Sequence, residues 1–171
     1  TPLEGLMMGT RTGDIDPAVV FHLERVAGMS VGEVDTLFNK KSGMKGMTGE
    51  SDMRSVWAMI DNDDDPVAQK RARTAMDVYV NRLLKYVGSY TAELGGLDVI
   101  TFTAGIGEND VHVRRELAEA LSPFGVKIDV EANKARSGEP RVISAPDSTV
   151  ELVVFPTNEE LAIARQALAF A

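Results

Sequence analysis

Cysteine is absent from the 171 residues, which removes disulfides, thiolate metal sites and thiol nucleophiles together. Histidine is nearly absent. Only His22 and His112 occur, neither with His or carboxylate neighbours at metal-ligand spacing, so both read as structural or exposed. No Ser-His-Asp set and no G-x-S-x-G turn is present, which sets aside the common hydrolase nucleophiles. Basic charge is in the minority, with 18 Lys and Arg against 26 Asp and Glu and a net charge of −8. That balance excludes the dense cationic face a sequence-independent nucleic-acid grip requires, so no nucleic-acid partner is expected. It leaves room for a small anionic ligand, which needs only a few local donors. No apolar run approaches bilayer-spanning length, so no membrane partner is expected, and a cytoplasmic enzyme or binding domain fits. Repeats and low-complexity tracts are missing as well. A chain of this length buries one substantial core, so one domain is the default.

What remains is an alternation of helix and strand signals. Residues 3–9 (LEGLMMG) look like a strand or strand end, followed by a turn at TRTGD. Asp16 and Pro17 supply an N-cap and a first-turn proline for a helix through AVVFHLERVA, which Gly28 closes. Ser30 and Glu33 form a capping box before a short helix whose apolar face is Val34, Leu37 and Phe38. Residues 39–49 read as a loop, and another short helix follows around 52–60. Asp65 is placed to cap the longest helix, with Ala68, Ala72, Ala75, Tyr79, Leu83, Val87, Tyr90 and Leu94 at helical spacing until Gly95 and Gly96 stop it. VITF then reads as a buried strand running into a glycine turn, AGIGEN, and a helix to about Leu121. GVKI, RVIS and VELVVF are three short strand candidates, and the last leads through PTNEE into a C-terminal helix. Strands alternating with helices make the fold α/β.

Several short motifs carry chemistry, each with a structural reading beside it. AGIGEN lacks the third glycine of the dinucleotide fingerprint, where Asp110 stands, and lacks a phosphate-loop lysine. It is either a βα turn needing positive φ or a place where Gly105 and Gly107 admit a ligand to the backbone. Asn109 or Asp110 can cap the next helix. Arg11, between two glycines in GTRTGD, offers a donor fork for phosphate or carboxylate, or a surface ion pair with Asp14 or Asp16. Asp52 is a natural N-cap, two residues before Arg54. The acidic run DNDDD fails the calcium-loop pattern at Pro66 and Ala72 and reads as a solvated loop that caps a helix. In PTNEEL, Thr157 and Glu160 fit a T-x-x-E capping box. Glu159 is then left at a helix N-terminus, either as favourable charge or as a carboxylate able to reach Mg²⁺ through its water shell.

Taken in order, MGTRTGDIDP, SGMKGMTGESDMR, LDVITFTAGIGEND with VRRELAEAL, and VVFPTNEELAIAR closely resemble the C-terminal portion of acetate kinases, through essentially the whole chain. The segment TGESDMR is one residue shorter than the SGVSSDMR common in that family.

The resemblance implies an actin-like, ribonuclease H-like ATPase domain, present in part, with a mixed sheet flanked by helices. It implies reversible, Mg²⁺-dependent transfer of the ATP γ-phosphoryl to acetate, giving acetyl phosphate and ADP. By matching position, Arg11 is the arginine that stabilises the transferring phosphoryl. Asp52, Met53 and Arg54 contact the nucleotide. Gly105, Ile106, Gly107, Glu108 and Asn109 receive the adenosine end of ATP, and Glu159 is associated with Mg²⁺. ATP and acetate are the expected substrates, with a homodimer as the assembly and the helix over residues 66–94 available to a partner. The whole chain, residues 1–171, is expected to be the C-terminal nucleotide-binding portion of a longer enzyme. Its opening TPLEGL reads as already mid-structure, and the acetate-binding N-terminal domain lies outside it. Little activity is expected of the chain alone. A non-catalytic nucleotide-binding or dimer-forming module is the alternative class, and a propionate or butyrate kinase the alternative enzyme.

Overall fold

The computed structural model describes residues 1–170, and the chain divides into two compact units, the first ending at Val87 and the second starting at Gly88.

The first unit is helical. Its elements are α1 (Ala18–Ala27), α2 (Val31–Lys40), α3 (Gly43–Thr48), α4 (Met53–Asn62) and the larger part of α5 (Pro66–Leu94). Local signals account for most of the boundaries. Asp16 Oδ1 accepts from Ala18 N–H at 2.9 Å, and Gly28 closes α1 in the left-handed conformation at φ 66°. The Ser30–Glu33 capping box forms as expected and starts α2. Asp65 Oδ1 accepts from Val67 N–H at 2.9 Å and starts α5. Along α5 the buried stripe is Ala72, Ala75, Met76, Tyr79 and Val80. These residues share the first unit's core with Met7, Val34, Phe38, Met44, Val56 and Trp57. The expected apolar face runs further, but Tyr90 and Leu94 are exposed.

Two expectations fail in this unit. Residues 3–9 form no strand: the chain turns back, Gly5 N–H donates to Asp14 Oδ1 at 2.7 Å, and Asp14 N–H donates to the Gly5 carbonyl at 2.9 Å. Those local bonds satisfy backbone groups that a strand would have offered to a sheet. Residues 39–49 are not a loop, since α2 extends to Lys40 and α3 follows. Its glycines are the ends of a helix: Gly43 enters at φ 61° and Gly49 leaves at φ 89°, while the side chain of Met44 between them is fully buried.

The second unit contains β1 (Val99–Phe102), α6 (Ala104–Asn109), α7 (Val111–Ala120), α8 (Val130–Lys134), β2 (Arg141–Val142), β3 (Glu151–Val154) and α9 (Glu159–Ala167). The sheet order is β1-β3-β2, with β1 parallel and β2 antiparallel to β3, so the expected mixed sheet is present. Its centre is β3, whose Leu152 and Val154 are fully buried. β1 is an edge strand, and only Phe102 of it is buried, contrary to the expectation from its apolar run. Of the three later strand candidates, VELVVF gives β3 and RVIS shortens to β2. GVKI contributes a single bridge, Ile128 to Ser144, because Gly125 at φ 81° bends the chain just before it. Val113, Leu117, Ala118, Leu121, Val126, Ile143 and Val150 complete this core.

Candidate functional site

β1 and β3 run parallel in register, with Phe102 opposite Val154. The segments that follow them, AGIGEN and PTNEE, therefore leave from the same edge of the sheet. That edge is the carboxyl end of the parallel pair, where open α/β sheets hold ligands.

AGIGEN is not a turn. It is the short helix α6, and the residue with positive φ is Ala104, at 57°, not either glycine. A non-glycine residue in that region costs roughly 1–2 kcal/mol, which the flanking strand and helix sustain. The two glycines are then free for other reasons. A Cβ on Gly107 would lie 3.2 Å from the Phe102 carbonyl carbon, so this glycine lets α6 sit close on the end of β1. A Cβ on Gly105 would meet nothing within 4 Å. Neither conformation nor packing within the chain asks for glycine there. Ile106 is exposed, and Asn109 turns its amide back to the Gly105 carbonyl at 2.9 Å. Asp110, not Asn109, caps α7 by accepting from His112 and Val113 N–H.

Glu108 ties the two segments together. Its Oε1 accepts from Thr157 N–H at 2.9 Å and from Thr157 Oγ1 at 3.1 Å. The Thr157 N–H is the main reason its carboxyl is held below the usual range. Thr157 is thereby diverted from the expected T-x-x-E box. Asn158 caps α9 in its place, its Oδ1 accepting from Leu161 N–H at 2.9 Å. Glu159 opens α9 exposed, and its carboxylate has no hydrogen bond or ion pair among the described residues. Ala104, Gly105, Glu108, Thr157, Asn158 and Glu159 line one cleft of about 400 Å³.

In the first unit, Arg11 lies on a loop fastened at many points. Met44 and Lys45 N–H donate to the Met8 and Gly9 carbonyls, and Ser42 N–H donates to Thr10. Gly43 is required by contact as well as conformation, since a Cβ there would lie 2.1 Å from the Met8 carbonyl oxygen. Asp14 closes the loop. It accepts from Gly5 N–H and from the Tyr86 hydroxyl on α5, and Arg82 donates to its carbonyl at 3.1 Å. The hydrogen bond from Tyr86, then that from Gly5, lowers the Asp14 carboxyl below its ordinary pKa. With Asp14 so engaged and Asp16 capping α1, neither takes Arg11. The Arg11 guanidinium is exposed and without a hydrogen bond or ion pair among the described residues.

Asp52 is the N-cap of α4, accepting from Arg54 N–H at 2.8 Å. The Arg54 guanidinium also grips that carboxylate, with Nε at 3.0 Å and Nη2 at 2.5 Å. This fork, with the backbone bond, lowers the Asp52 pKa to about 2. Met53 begins the helix between them. A Cβ on Gly9 would lie 3.0 Å from the Ser51 carbonyl, so the Arg11 loop and the Asp52 segment meet at that glycine.

The structure thus gathers Gly105, Glu108 and Glu159 in one cleft of the second unit, and brings the Arg11 loop against the Asp52 segment in the first. Thr157, Ala104 and Tyr86 have parts in these arrangements that spacing did not reveal. The partner of Glu108 lies 49 positions away and that of Asp14 lies 72 positions away.

With α6 and the PTNEE segment both leaving the carboxyl end of a parallel strand pair, the second unit is an open α/β sheet of the class that holds ligands at that edge. A family profile described as "Acetokinase family" matches residues 1–165, and the chain belongs to that family. An acetate kinase of Leifsonia xyli is 53% identical over 168 residues, which cover 98% of this chain and 41% of the relative. The crystal structure of Porphyromonas gingivalis acetate kinase superposes with a TM-score of 0.87 at 41% identity, over 99% of this chain and 41% of that one. A propionate kinase from Francisella tularensis superposes with a TM-score of 0.85 at 37% identity, over 96% of this chain and 40% of that one. The chain spans about two fifths of the length of the relatives it matches.

Proposed function

We propose that residues 1–171 are the C-terminal nucleotide-binding portion of a kinase that transfers the γ-phosphoryl of ATP reversibly to acetate, giving acetyl phosphate and ADP. The observation that carries the reading is Gly105: it has ordinary φ and empty space where a side chain would go, beside an unpaired Glu159 in the same cleft. A glycine kept without a conformational or packing reason suits close approach of a ligand to the backbone.

Under this reading Gly105 to Asn109 receive the adenosine end of ATP, and Asp52, Met53 and Arg54 are nucleotide contacts. Mutual pairing holds Asp52 and Arg54 in place before any ligand arrives. Arg11 faces the transferring phosphoryl. Its free guanidinium on a fastened loop suits charge spread over equatorial oxygens, where positioning and electrostatics supply most of the acceleration. Glu159 fits an Mg²⁺ role. Among the described residues no group of three or more metal-binding side chains exists, and Mg²⁺ is commonly held by one or two carboxylates, water and phosphate oxygens. When bound, that ion neutralises phosphate charge. On this reading the longer enzyme acts as a homodimer in the cytoplasm.

No residue of this chain is assigned to the acceptor carboxylate. The chain alone is therefore expected to bind adenine nucleotide weakly and to turn over little. Calorimetric titration with ADP and Mg²⁺, beside an acetyl phosphate assay, tests this, and robust acetyl phosphate formation by the 171 residues alone would overturn the partial-enzyme reading. In the longer protein, Arg11→Ala should lower turnover by at least about a hundredfold while nucleotide affinity changes only a few-fold. A module without catalysis would have no activity to lose. The likeness to a propionate kinase keeps that acyl group as the second reading, and comparing kcat/KM for acetate, propionate and butyrate separates them.

A further inference from the structure

The second unit holds a cationic pocket whose arginines this phosphoryl-transfer scheme leaves unused. It encloses about 320 Å³ beside α6, and Arg114, Arg136 and Arg141 all line it.

Arg114 is 1% exposed, and neutral oxygens fix its guanidinium. Nε donates to Asn133 Oδ1 at 2.7 Å, Nη2 to the Asn133 carbonyl at 2.8 Å and Nη1 to the Gly107 carbonyl at 2.8 Å. Burial pushes this guanidinium below its ordinary pKa, and the charge of Arg141 presses the same way against Asp110. Arg141 carries a buried Nε with no hydrogen-bond partner, and its Nη1 has only a 3.5 Å contact with the Ser137 carbonyl. Neither Arg136 nor Arg141 forms a salt bridge among the described residues. The acid on the wall, Glu108, already has its Oε1 on Thr157, and the charge of Arg141 is the smallest of the causes that lower its carboxyl. Like charges set this close, with a donor buried and unused, match an oxyanion that takes several guanidinium hydrogen bonds at once. In a chain of net charge −8 such a cluster is not a by-product of general basicity.

We propose that this pocket binds the phosphate group of a small molecule, with Arg141 as its principal donor, Arg136 at the exposed mouth and Arg114 as the fixed floor. The cavity exceeds a lone phosphate, so the group comes either from free phosphate or from a phosphorylated compound, nucleotide included. The proposal stands apart from the adenosine assignment, although Glu108 and Asn109 lie on the pocket wall.

The test is titration of the folded chain with inorganic phosphate, followed by amide and arginine Nε–H resonances in ¹H–¹⁵N spectra. Saturable shifts are expected at Arg141, Arg136 and Asn109. Arg141→Gln should weaken binding at least about tenfold and Arg136→Gln about threefold, while Arg165→Gln on α9 leaves it unchanged. Folding of each variant is read in the same spectra, and Arg136, being exposed, provides the variant least able to disturb the core. Shifts that never saturate, that map elsewhere, or that persist unchanged in Arg141→Gln and Arg136→Gln overturn the proposal. Further arms with adenosine and ADP identify the source. Phosphate binding indifferent to saturating adenosine and additive with ADP supports free anion. Competition by ADP, lost in Arg141→Gln, supports a nucleotide phosphate. Failure of adenosine to bind, with the phosphate result intact, overturns the adenosine assignment alone.

Discussion

Replacing Gly105 by alanine separates a ligand-facing glycine from a structural one, because the two roles predict opposite signs for stability and affinity. The residue lies in α6 without positive φ, and an added Cβ meets nothing within 4 Å. Gly105→Ala should therefore stabilise the fold by about 0.4–1 kcal/mol, chiefly by restricting the unfolded chain. Gly107→Ala should behave differently. Its Cβ would lie 3.2 Å from the Phe102 carbonyl carbon, a backbone atom that cannot swing aside. An overpacking penalty of about 1–3 kcal/mol then outweighs the helical gain of about 0.5–1 kcal/mol, for a net loss on the order of 1 kcal/mol. The sole tryptophan, Trp57, sits in the first unit, so its fluorescence does not report on this site. Amide exchange of the buried β3 residues Leu152 and Val154 does, and the stabilisation in Gly105→Ala corresponds to roughly two- to fivefold slower exchange. ADP affinity, by calorimetry, should fall about tenfold in the same variant, since a methyl enters the ligand's space. A Gly105→Ala protein that is stabilised yet binds ADP as before refutes the ligand-facing role. One destabilised by more than about 1 kcal/mol refutes the geometric reading itself.

Three further outcomes are expected. The Asp52 carboxyl has a folded pKa of about 2, below its ordinary 3.8, so its stabilising effect is complete above about pH 4 and is lost as pH falls toward 2. Asp52→Asn should remove that step from an acid titration of helicity, and added salt should shrink it in the parent because the pair is exposed. Asn158→Ala should cost α9 about 0.5–2 kcal/mol by loss of its cap, read from exchange at Leu161 N–H, whereas Glu160→Gln should cost almost nothing; the reverse order would restore the T-x-x-E box. In the longer enzyme, Glu159→Gln should raise the Mg²⁺ concentration needed for half-maximal turnover by about tenfold with little change in ADP affinity measured without metal, and an unchanged Mg²⁺ dependence would remove Glu159 from that role.

Much of the chain was legible because the signals were local. Caps at Asp16, Ser30 and Asp65, and the glycine stops at Gly28 and Gly95, act over three or four residues, so spacing alone located their helices. The ordered motifs are specific enough to indicate the acetokinase family from the sequence alone. Less legible were the segments whose conformation depends on distant partners. Residues 39–49 carry loop-like glycines, yet burial of Met44 makes six of them a helix. Thr157 has the spacing of a capping box, yet Glu108, on another element, takes its donors.

By itself the sequence determined the alternation of helix and strand, most helix ends and the family. These rest on short-range hydrogen bonding and periodicity, which the order of residues encodes directly. Only the tertiary structure decided that β1 is an edge strand, that positive φ falls on Ala104, and that Gly105 and Glu159 share a cleft. It alone set Arg114 and Arg141 against one cavity. Each of those facts depends on the parallel register of β1 with β3 or on packing across many tens of residues. Such pairings are settled by which buried surfaces fit together, and no local pattern records them.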